Sequence, residues 1–312
     1  MPESSDFDVL VVGGAGVDTI VRVERLEIPG SDSVGVPPVH DYAGHTGSGV
    51  ALGCHRLGLR TKFLDFLGDD PQAELVLAAF RRAGLDFSHL VSPAGTPRGV
   101  NLVDADGLRF SFYDGRHPAD LRLPSDFYLP FLERARHVHL SITNINRDMH
   151  QDIERLGATS STDLHAWDGV NEHHRHYALR ADLVFLSAAG LGGRPEEVMR
   201  GVLAGGRARL VVATAGADGS YLLERGDTEV RHVPAVDPGR PVVDSNGAGD
   251  AFVSGFLDSW LAGRPAEECM LAGSVAGAHA CTTAGTHGGL IDAEGLAAGL
   301  AAVRTDRSQR RS

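Results

Sequence analysis

Short apolar segments alternate with helix-type segments through the middle of this chain, and this alternation limits the possible folds more than any other feature. Strands are predicted at residues 138–142, 159–164, 183–186 and 208–214, and helices at residues 148–156, 172–179 and 196–203. A chain that alternates in this way forms a parallel sheet whose two faces are covered by helices. The sequence therefore predicts an α/β protein with three α/β/α layers and a mostly parallel central sheet.

Two segments, near residues 19–42 and 98–113, do not follow this alternation. The second contains two strand-type runs that flank Asp-Ala-Asp-Gly at residues 104–107, which is a good hairpin signal. We expect both segments to form a small β-sheet lid over the carboxyl edge of the main sheet, where open α/β folds bind ligands. Residues 1–303 are expected to form a single domain, and the polar, basic residues 304–312 a disordered tail.

Composition narrows the functional classes. The 312 residues include 29 Lys and Arg against 41 Asp and Glu, and the formal net charge of −12 argues against a nucleic-acid partner. Lys62 is the only lysine, so a Walker-type phosphate lysine is not expected. No apolar run approaches the roughly 18 residues that cross a bilayer. We therefore expect no membrane partner and a cytoplasmic protein.

Residues 242–255 combine a glycine-rich turn with two aspartates at the start of a predicted helix. Gly247, Ala248 and Gly249 allow consecutive N–H groups to converge there, and the positive end of a helix dipole attracts anions. Asp250 lies in the first turn of the same helix. Its carboxylate either stabilises the helix dipole or acts as a base beside a phosphoryl group.

Three other glycine-rich segments are candidate binding loops. Residues 13–18 lack the third glycine of a dinucleotide-binding turn and precede a strand, so a nicotinamide cofactor is not expected. Asp18, at the end of that turn, is suited to accept two sugar hydroxyls. Residues 43–49 begin a predicted helix with small residues, and residues 214–219 place glycines and a hydroxyl at the end of a predicted strand. Each is either a tightly packed turn or a place where a ligand approaches the backbone closely.

Residues 244–255, Asp-Ser-Asn-Gly-Ala-Gly-Asp followed by Ala-Phe-Val-Ser-Gly, resemble the carboxyl-terminal signature of the PfkB (ribokinase-like) carbohydrate kinases. Asp18, the two glycine-rich segments and the last predicted helix pair occur in the family's order, so the resemblance covers essentially the whole chain. It implies an ATP-dependent sugar kinase, which transfers the γ-phosphoryl group of ATP to a hydroxyl of a small carbohydrate with the help of Mg²⁺. Many members also bind a monovalent cation such as K⁺.

The resemblance implies a role for each candidate residue. Asp250 would be the catalytic base, and Gly247, Ala248 and Gly249 would bind the transferred phosphoryl group. The remaining sets are a sugar side of Asp18, Gly44, His45 and Ser48; a nucleotide side of Thr214, Gly216, Gly219 and Ser187; and monovalent-cation positions at Asp244, Asn246, Ala280, Thr283, Gly285 and Gly289.

Three positions depart from the family pattern. Ser48 stands where the family usually has Asn, and Asn246 replaces a common Thr. Residues 187–190, Ser-Ala-Ala-Gly, replace an N-x-x-E motif that helps to order Mg²⁺ and the phosphates. This loss keeps open a sugar- or nucleotide-sensing protein with little kinase activity.

Two further alternatives concern the substrate and the assembly. The aromatic side chains of the lid segments, Tyr42, Phe110, Phe112 and Tyr113, keep open a nucleoside kinase of the same fold. An exposed lid sheet also favours a homodimer formed through the lid. Asp163 and His165 are expected to contact substrate or phosphate, because they follow a predicted strand at the active-site edge.

Overall fold

The computed structural model describes residues 5–309, except residues 28, 29, 106 and 108. The strands of this described part are β1 (Phe7–Val12), β2 (Gly16–Arg22), β3 (His40–Gly44), β4 (Thr61–Leu67), β5 (Asp86–Val91), β6 (Arg98–Val103), β7 (Arg109–Asp114), β8 (Ala135–Leu140), β9 (Thr159–Asp163), β10 (Leu183–Ser187), β11 (Leu210–Thr214), β12 (Ser220–Glu224) and β13 (Arg231–Val233). The α-helices are α1 (Thr46–Arg56), α2 (Pro71–Ala83), α3 (Ser125–Leu132), α4 (His150–Leu156), α5 (Glu172–Ala178), α6 (Pro195–Gly205), α7 (Ala248–Leu261), α8 (Ala266–Ala280) and α9 (Ala293–Gln309). None of these described helices is long and apolar enough to cross a membrane.

The main sheet contains nine strands of the described chain, in the order β13-β12-β11-β10-β9-β8-β1-β4-β5. The strands from β11 to β5 run parallel to one another, whereas β12 and β13 pair antiparallel at one end of the sheet. The parallel strands therefore all end at the same edge, which we call the carboxyl edge. The predicted, mostly parallel central sheet is confirmed.

Helices cover both faces of the sheet, because successive side chains of a strand point to opposite faces. In β1, Leu10 and Val12 belong to the apolar cluster that includes residues of α3, α4, α5 and α6. Val9 and Val11 belong to the opposite cluster, which includes residues of α1, α2, α7 and α8. All four side chains are fully buried. The predicted three-layer architecture is confirmed.

The lid is a separate sheet in the order β3-β2-β6-β7. β2 and β6 pair in parallel, and the outer strands β3 and β7 pair antiparallel with them. β2 follows β1 after a short turn at Gly13 and Gly14, so the lid is attached at the carboxyl edge of the main sheet. The predicted lid is confirmed as a sheet, although it begins at residue 16 rather than 19. Residues 28, 29, 106 and 108 of the predicted lid segments lie outside the described residues.

The sequence does not predict β5, α3 or α9, because none of them has a strong apolar period. β5 is a partly exposed edge strand, and α3 is short and contains Pro130. α9 is rich in Ala and Gly and continues to Gln309. The prediction of a disordered tail is therefore wrong for residues 304–309, since extending an existing helix is much easier than starting one. Residues 310–312 lie outside the described residues.

Candidate active site

Asp18 lies in β2 of the lid sheet and is held by neighbours from β3, β6 and the start of α1. Its Oδ2 accepts a hydrogen bond of 3.0 Å from the His45 N–H, and its Oδ1 accepts one of 3.2 Å from Nδ2 of Asn101. Gly44 and Gly99 flank the carboxylate so closely that a Cβ at either position would overlap with it. The glycines therefore allow a half-buried carboxylate to sit at this position with a fixed orientation.

His45 and Ser48 lie at the start of α1, and His45 contacts Asp18. His45 has a positive φ of 68°, and its ring centroid is 5.4 Å from that of Tyr113 in the lid. Burial lowers the pKa of His45, although the nearby Asp18 carboxylate acts in the opposite direction. Ser48 is fully buried, and its Oγ has no hydrogen-bond partner among the described residues. A buried hydroxyl without a partner is costly, so Ser48 is a good candidate to contact a ligand or an ordered water.

The start of α7 forms the candidate anion hole, which comprises Gly247, Ala248 and Gly249. Gly247 precedes the helix with a φ of 73°, and no side chain caps the helix there. The N–H of Ala248 donates to the carbonyl of Ser245 at 3.3 Å, whereas no backbone carbonyl among the described residues accepts from Gly249 or Asp250. Those two N–H groups are thus available, together with the helix dipole, to bind an anion.

Asp250 is buried in the first turn of α7 and forms a hydrogen bond with His287. The distance between His287 Nε2 and Asp250 Oδ2 is 2.9 Å, and the two side chains are 4% and 9% exposed. Burial alone would lower the pKa of His287. The hydrogen bond and the charge of Asp250, together with the charge of Asp18, outweigh this effect and raise it. The site therefore pairs a buried carboxylate with a basic partner directly beside the anion hole.

Two arginines of the lid reach the loop that precedes the anion hole. Arg22 Nη2 lies 2.7 Å from Asp244 Oδ2, and Arg109 Nη1 donates to Asn246 Oδ1 at 2.8 Å. Asn246 also donates to Asp244 Oδ1 through its own N–H and its side-chain amide, at 3.0 and 2.8 Å. The lid and the anion-hole loop are thus directly linked by two polar contacts.

The comparisons with known proteins agree with this geometry. A profile described as pfkB family carbohydrate kinase matches residues 6–293. The chain belongs to the PfkB family of carbohydrate kinases. The kinase is 52% identical to the acarbose 7(IV)-phosphotransferase of an Actinoplanes species over 294 residues, which cover 94% of this chain and 98% of that protein. The solved structure of the microbiome-derived acarbose kinase Mak1 is 45% identical, with a TM-score of 0.88 over 95% of this chain and 99% of that one.

More distant relatives support the fold. The structure of Arabidopsis thaliana ribokinase complexed with ribose and ATP is 21% identical and has a TM-score of 0.78, covering 94% of this chain and 98% of that chain. The predicted ribokinase-like fold and family are therefore confirmed. The predicted activity, ATP-dependent phosphorylation of a carbohydrate, is confirmed as well.

The nucleotide-side residues predicted for the kinase lie at the carboxyl ends of β10 and β11. Ser187 and Thr214 are paired neighbours there, and the Ser187 hydroxyl accepts from the N–H of Ala189 at 3.3 Å. Gly216 has a φ of 57° and faces open space, as a ligand-approach position requires. Gly219 instead faces the Val233 carbonyl, so its small size serves packing against β13. Their roles in nucleotide binding stay predictions.

Asp163 lies beside the anion hole of the kinase. A Cβ built on Gly249 would be 3.9 Å from its Oδ2, while its Oδ1 accepts from the His165 N–H at 2.8 Å. A carboxylate and a phosphate repel each other, so a carboxylate beside a phosphate position is favourable when a cation lies between the two negative charges. The described residues contain no group of three or more His, Cys, Asp or Glu that could hold a metal by themselves. Asp163 is thus suited to face a divalent cation that arrives with the phosphates.

The predicted cation positions form two neighbouring groups. Asp244 Oδ2 accepts from the Gly285 N–H at 3.3 Å, and Gly289 faces Thr283 and the Ala280 carbonyl closely. The Asp244 carboxylate already receives the positive charge of Arg22, which the sequence does not predict. The cation role of these residues stays a prediction.

Sequence reasoning missed five site residues that belong to different parts of the chain: Asn101, Asp65, His287, Arg22 and Arg109. Asp65 interrupts the apolar run of β4, which is a signal that could have identified it. Its carboxylate accepts from the N–H of Ala15 at 2.5 Å and so holds the turn that leads into the lid. Burial raises the pKa of Asp65 to about 7, against the effect of the backbone N–H groups that donate to it.

Proposed function

We propose that this kinase phosphorylates acarbose or a closely related carbohydrate, with ATP as the phosphoryl donor. The observation that carries the proposal is the 52% identity to an acarbose 7(IV)-phosphotransferase over nearly the full length of both proteins. The similarity to an acarbose kinase structure at a TM-score of 0.88 supports it independently. A nucleoside kinase relative is only 26% identical, which makes a nucleoside the weaker candidate.

In the proposed mechanism, Asp250 accepts the proton of the attacking hydroxyl, and the N–H groups at the start of α7 stabilise the charge on the phosphoryl oxygens. Asp18 binds acceptor hydroxyls, since His45 and Asn101 orient its carboxylate from the protein side. The lid excludes water and so suppresses hydrolysis of ATP. Mg²⁺ bound with ATP would offset phosphate charge, and Asp163 is the residue that we assign to it, in place of the absent N-x-x-E.

We also propose that K⁺ binds among Asp244, Asn246, Ala280, Thr283, Gly285 and Gly289. The backbone carbonyls and the carboxylate of this set are the oxygen ligands that such cations prefer. Arg22 already places a positive charge on Asp244. We therefore expect the kinase to depend on K⁺ only weakly while Arg22 is present.

A homodimer through the lid is our proposal for the assembly. β7 is an edge strand of the lid, and Phe110 and Phe112 on it are 53% and 58% exposed. A second copy of the lid would cover these side chains and pair the open edge. Analytical ultracentrifugation should then give a dimer that Phe110→Asp converts to a monomer.

The requirement for ATP supports a cytoplasmic location.

The function is tested by measuring ADP release with a panel of acceptors: acarbose, D-ribose, D-fructose and adenosine. We expect acarbose to have the highest kcat/KM, and phosphorus NMR to show a new phosphomonoester on it. Faster turnover of adenosine would replace the proposal with a nucleoside kinase. ADP release no faster with any acceptor than without one would instead favour a sensing protein.

A further inference from the structure

Asp250 has a buried partner that no local sequence pattern indicates. His287 lies in the loop between α8 and α9, and its Nε2 is 2.9 Å from Asp250 Oδ2. An ionised carboxylate only accepts hydrogen bonds, so Nε2 must be the donor. Both side chains are shielded from water. If their hydrogen bond broke, water could not replace the partner that each side chain would lose. The pair is therefore held in one arrangement.

The surrounding backbone leaves this pair little room to move. Gly49 of α1 faces it directly, and a Cβ at this position would overlap with both Asp250 Oδ2 and His287 Nε2. Gly247 faces the Thr286 carbonyl, which a Cβ would likewise overlap. Three segments, namely α1, the start of α7 and the loop before α9, thus enclose the hydrogen bond.

The loop that carries His287 is itself anchored on both sides. Before it, the Gly285 N–H donates to Asp244 Oδ2 at 3.3 Å. After it, Leu290 and Ile291 are buried in the apolar cluster formed with α8 and α9. His287 is therefore presented to Asp250 by a fixed backbone rather than by a loose surface segment.

We propose that His287 is a positioning residue for the base: it holds Oδ2 of Asp250, so that Oδ1 receives the proton of the acceptor hydroxyl. Among the described residues, His287 is the only one whose side chain donates to this carboxylate. A carboxylate that rotates freely is correctly aligned for a smaller part of the time, and misplacement of a reacting group lowers the rate of the chemical step. The inference rests on the proposed role of Asp250 as base.

The first test compares His287→Leu with His287→Gln, because glutamine keeps an N–H donor on a side chain of similar reach. We expect His287→Leu to lower kcat by about 30-fold while the KM for the acceptor changes by less than about threefold, and His287→Gln to recover most of the loss. His287→Asn, whose amide is too short to reach Oδ2, should behave like His287→Leu. Wild-type kcat in His287→Leu, or a rise in the KM for the acceptor with kcat unchanged, would overturn the proposal.

The second test places His287→Leu in an Asp250→Asn background. If His287 acts through Asp250, the second substitution adds no further loss to the residual rate, because the two residues act as a unit. A further loss as large as in the wild-type background contradicts the proposal. Wild-type turnover of Asp250→Asn alone would refute the base assignment instead, so the two failures are distinguishable.

Thermal unfolding separates these effects from damage to the fold. His55→Leu is a matched control, because His55 Nε2 contacts the Ala83 carbonyl at 2.9 Å between α1 and α2 and not Asp250. This control should keep wild-type kcat. If His287→Leu does not fold, the comparison of His287→Gln with His287→Asn decides the question, and equal kcat in these two variants would overturn the proposal.

Discussion

Arg22 of the lid and Asp244 of the anion-hole loop form an ion pair with a separation of 2.7 Å between Nη2 and Oδ2. The Asp244 side chain is 1% exposed, whereas that of Arg22 is 37% exposed. Ion pairs with a buried member are far more sensitive to the loss of a partner than those on the surface. The contact therefore links the position of the lid to the order of the loop that leads into the anion hole.

We expect Arg22→Met to raise the KM for the acceptor by about tenfold, because the lid loses its contact with the loop and closes less effectively. Steady-state kinetics measure this effect. Arg60→Met is the matched control, since Arg60 pairs with Asp8 at the opposite edge of the sheet. Unchanged kinetics in Arg22→Met would show that the ion pair has no part in lid closure.

The same variant tests the cation proposal. A monovalent cation beside Asp244 would replace the charge of the missing guanidinium, so K⁺ should restore part of the activity of Arg22→Met. The wild-type kinase should change less between KCl and tetramethylammonium chloride at equal ionic strength. An equal response of both proteins would argue against a cation at Asp244.

Asp250→Asn should lower kcat by at least about 100-fold, because an amide cannot accept the proton of the attacking hydroxyl. The acceptor should still bind, since Asp18 and the lid are unchanged. Single-turnover kinetics measure the chemical step, and calorimetry measures acceptor binding. Turnover near that of the wild type would remove Asp250 from the mechanism.

Gly49→Ala should reduce kcat strongly, because the added methyl group overlaps with Asp250 Oδ2 and His287 Nε2 and must displace the pair. Gly201→Ala in α6 is the matched control: among the described residues, no atom beyond its chain neighbours and the backbone of its own helix lies within 4 Å of its Cβ position. Because alanine replaces a glycine in a helix interior, Gly201→Ala should stabilise the protein by about 0.5–1 kcal/mol and leave kcat unchanged. Equal kcat in the two variants would mean that the site tolerates displacement of the pair.

The buried side chain of His137 should make the free energy of unfolding depend on pH. Burial, assisted by the charge of Arg136, lowers the pKa of His137 to about 3. Its ring nitrogens are 2.8 Å from Thr159 Oγ1 and 2.7 Å from Ser161 Oγ. Below the ordinary histidine pKa of about 6.5, the unfolded chain takes up a proton that the folded chain does not, so stability falls as the pH falls through this window.

The stability that His137 contributes relative to His137→Gln should therefore decrease by up to about 1.4 kcal/mol per pH unit between pH 6 and pH 4. Urea unfolding of both proteins across this range measures the difference. Comparing the two proteins removes the contributions of other titrating groups, which are common to both. A difference that does not vary with pH would show that His137 is protonated in the folded state.

The sequence by itself determined the elements with strong local signals. The apolar runs of β8–β11 predict a parallel sheet, since each run can be buried only between two layers of helices. The glycine-rich turn before Asp250 likewise predicts an anion hole, because its geometry depends on consecutive residues. The helix α9 was not predicted, and composition alone does not distinguish its extension over residues 304–309 from a tail.

Only the tertiary structure decided which distant residues meet. His287 contacts Asp250, Arg22 contacts Asp244 and Asn101 contacts Asp18 across separations of 37, 222 and 83 residues. Such contacts depend on strand order, on the parallel pairing of β2 with β6 and on the path of the loop before α9, none of which leaves a local pattern in the chain. The sequence therefore predicts the base and the anion hole, whereas the partners that orient these residues follow from the packing of the whole fold.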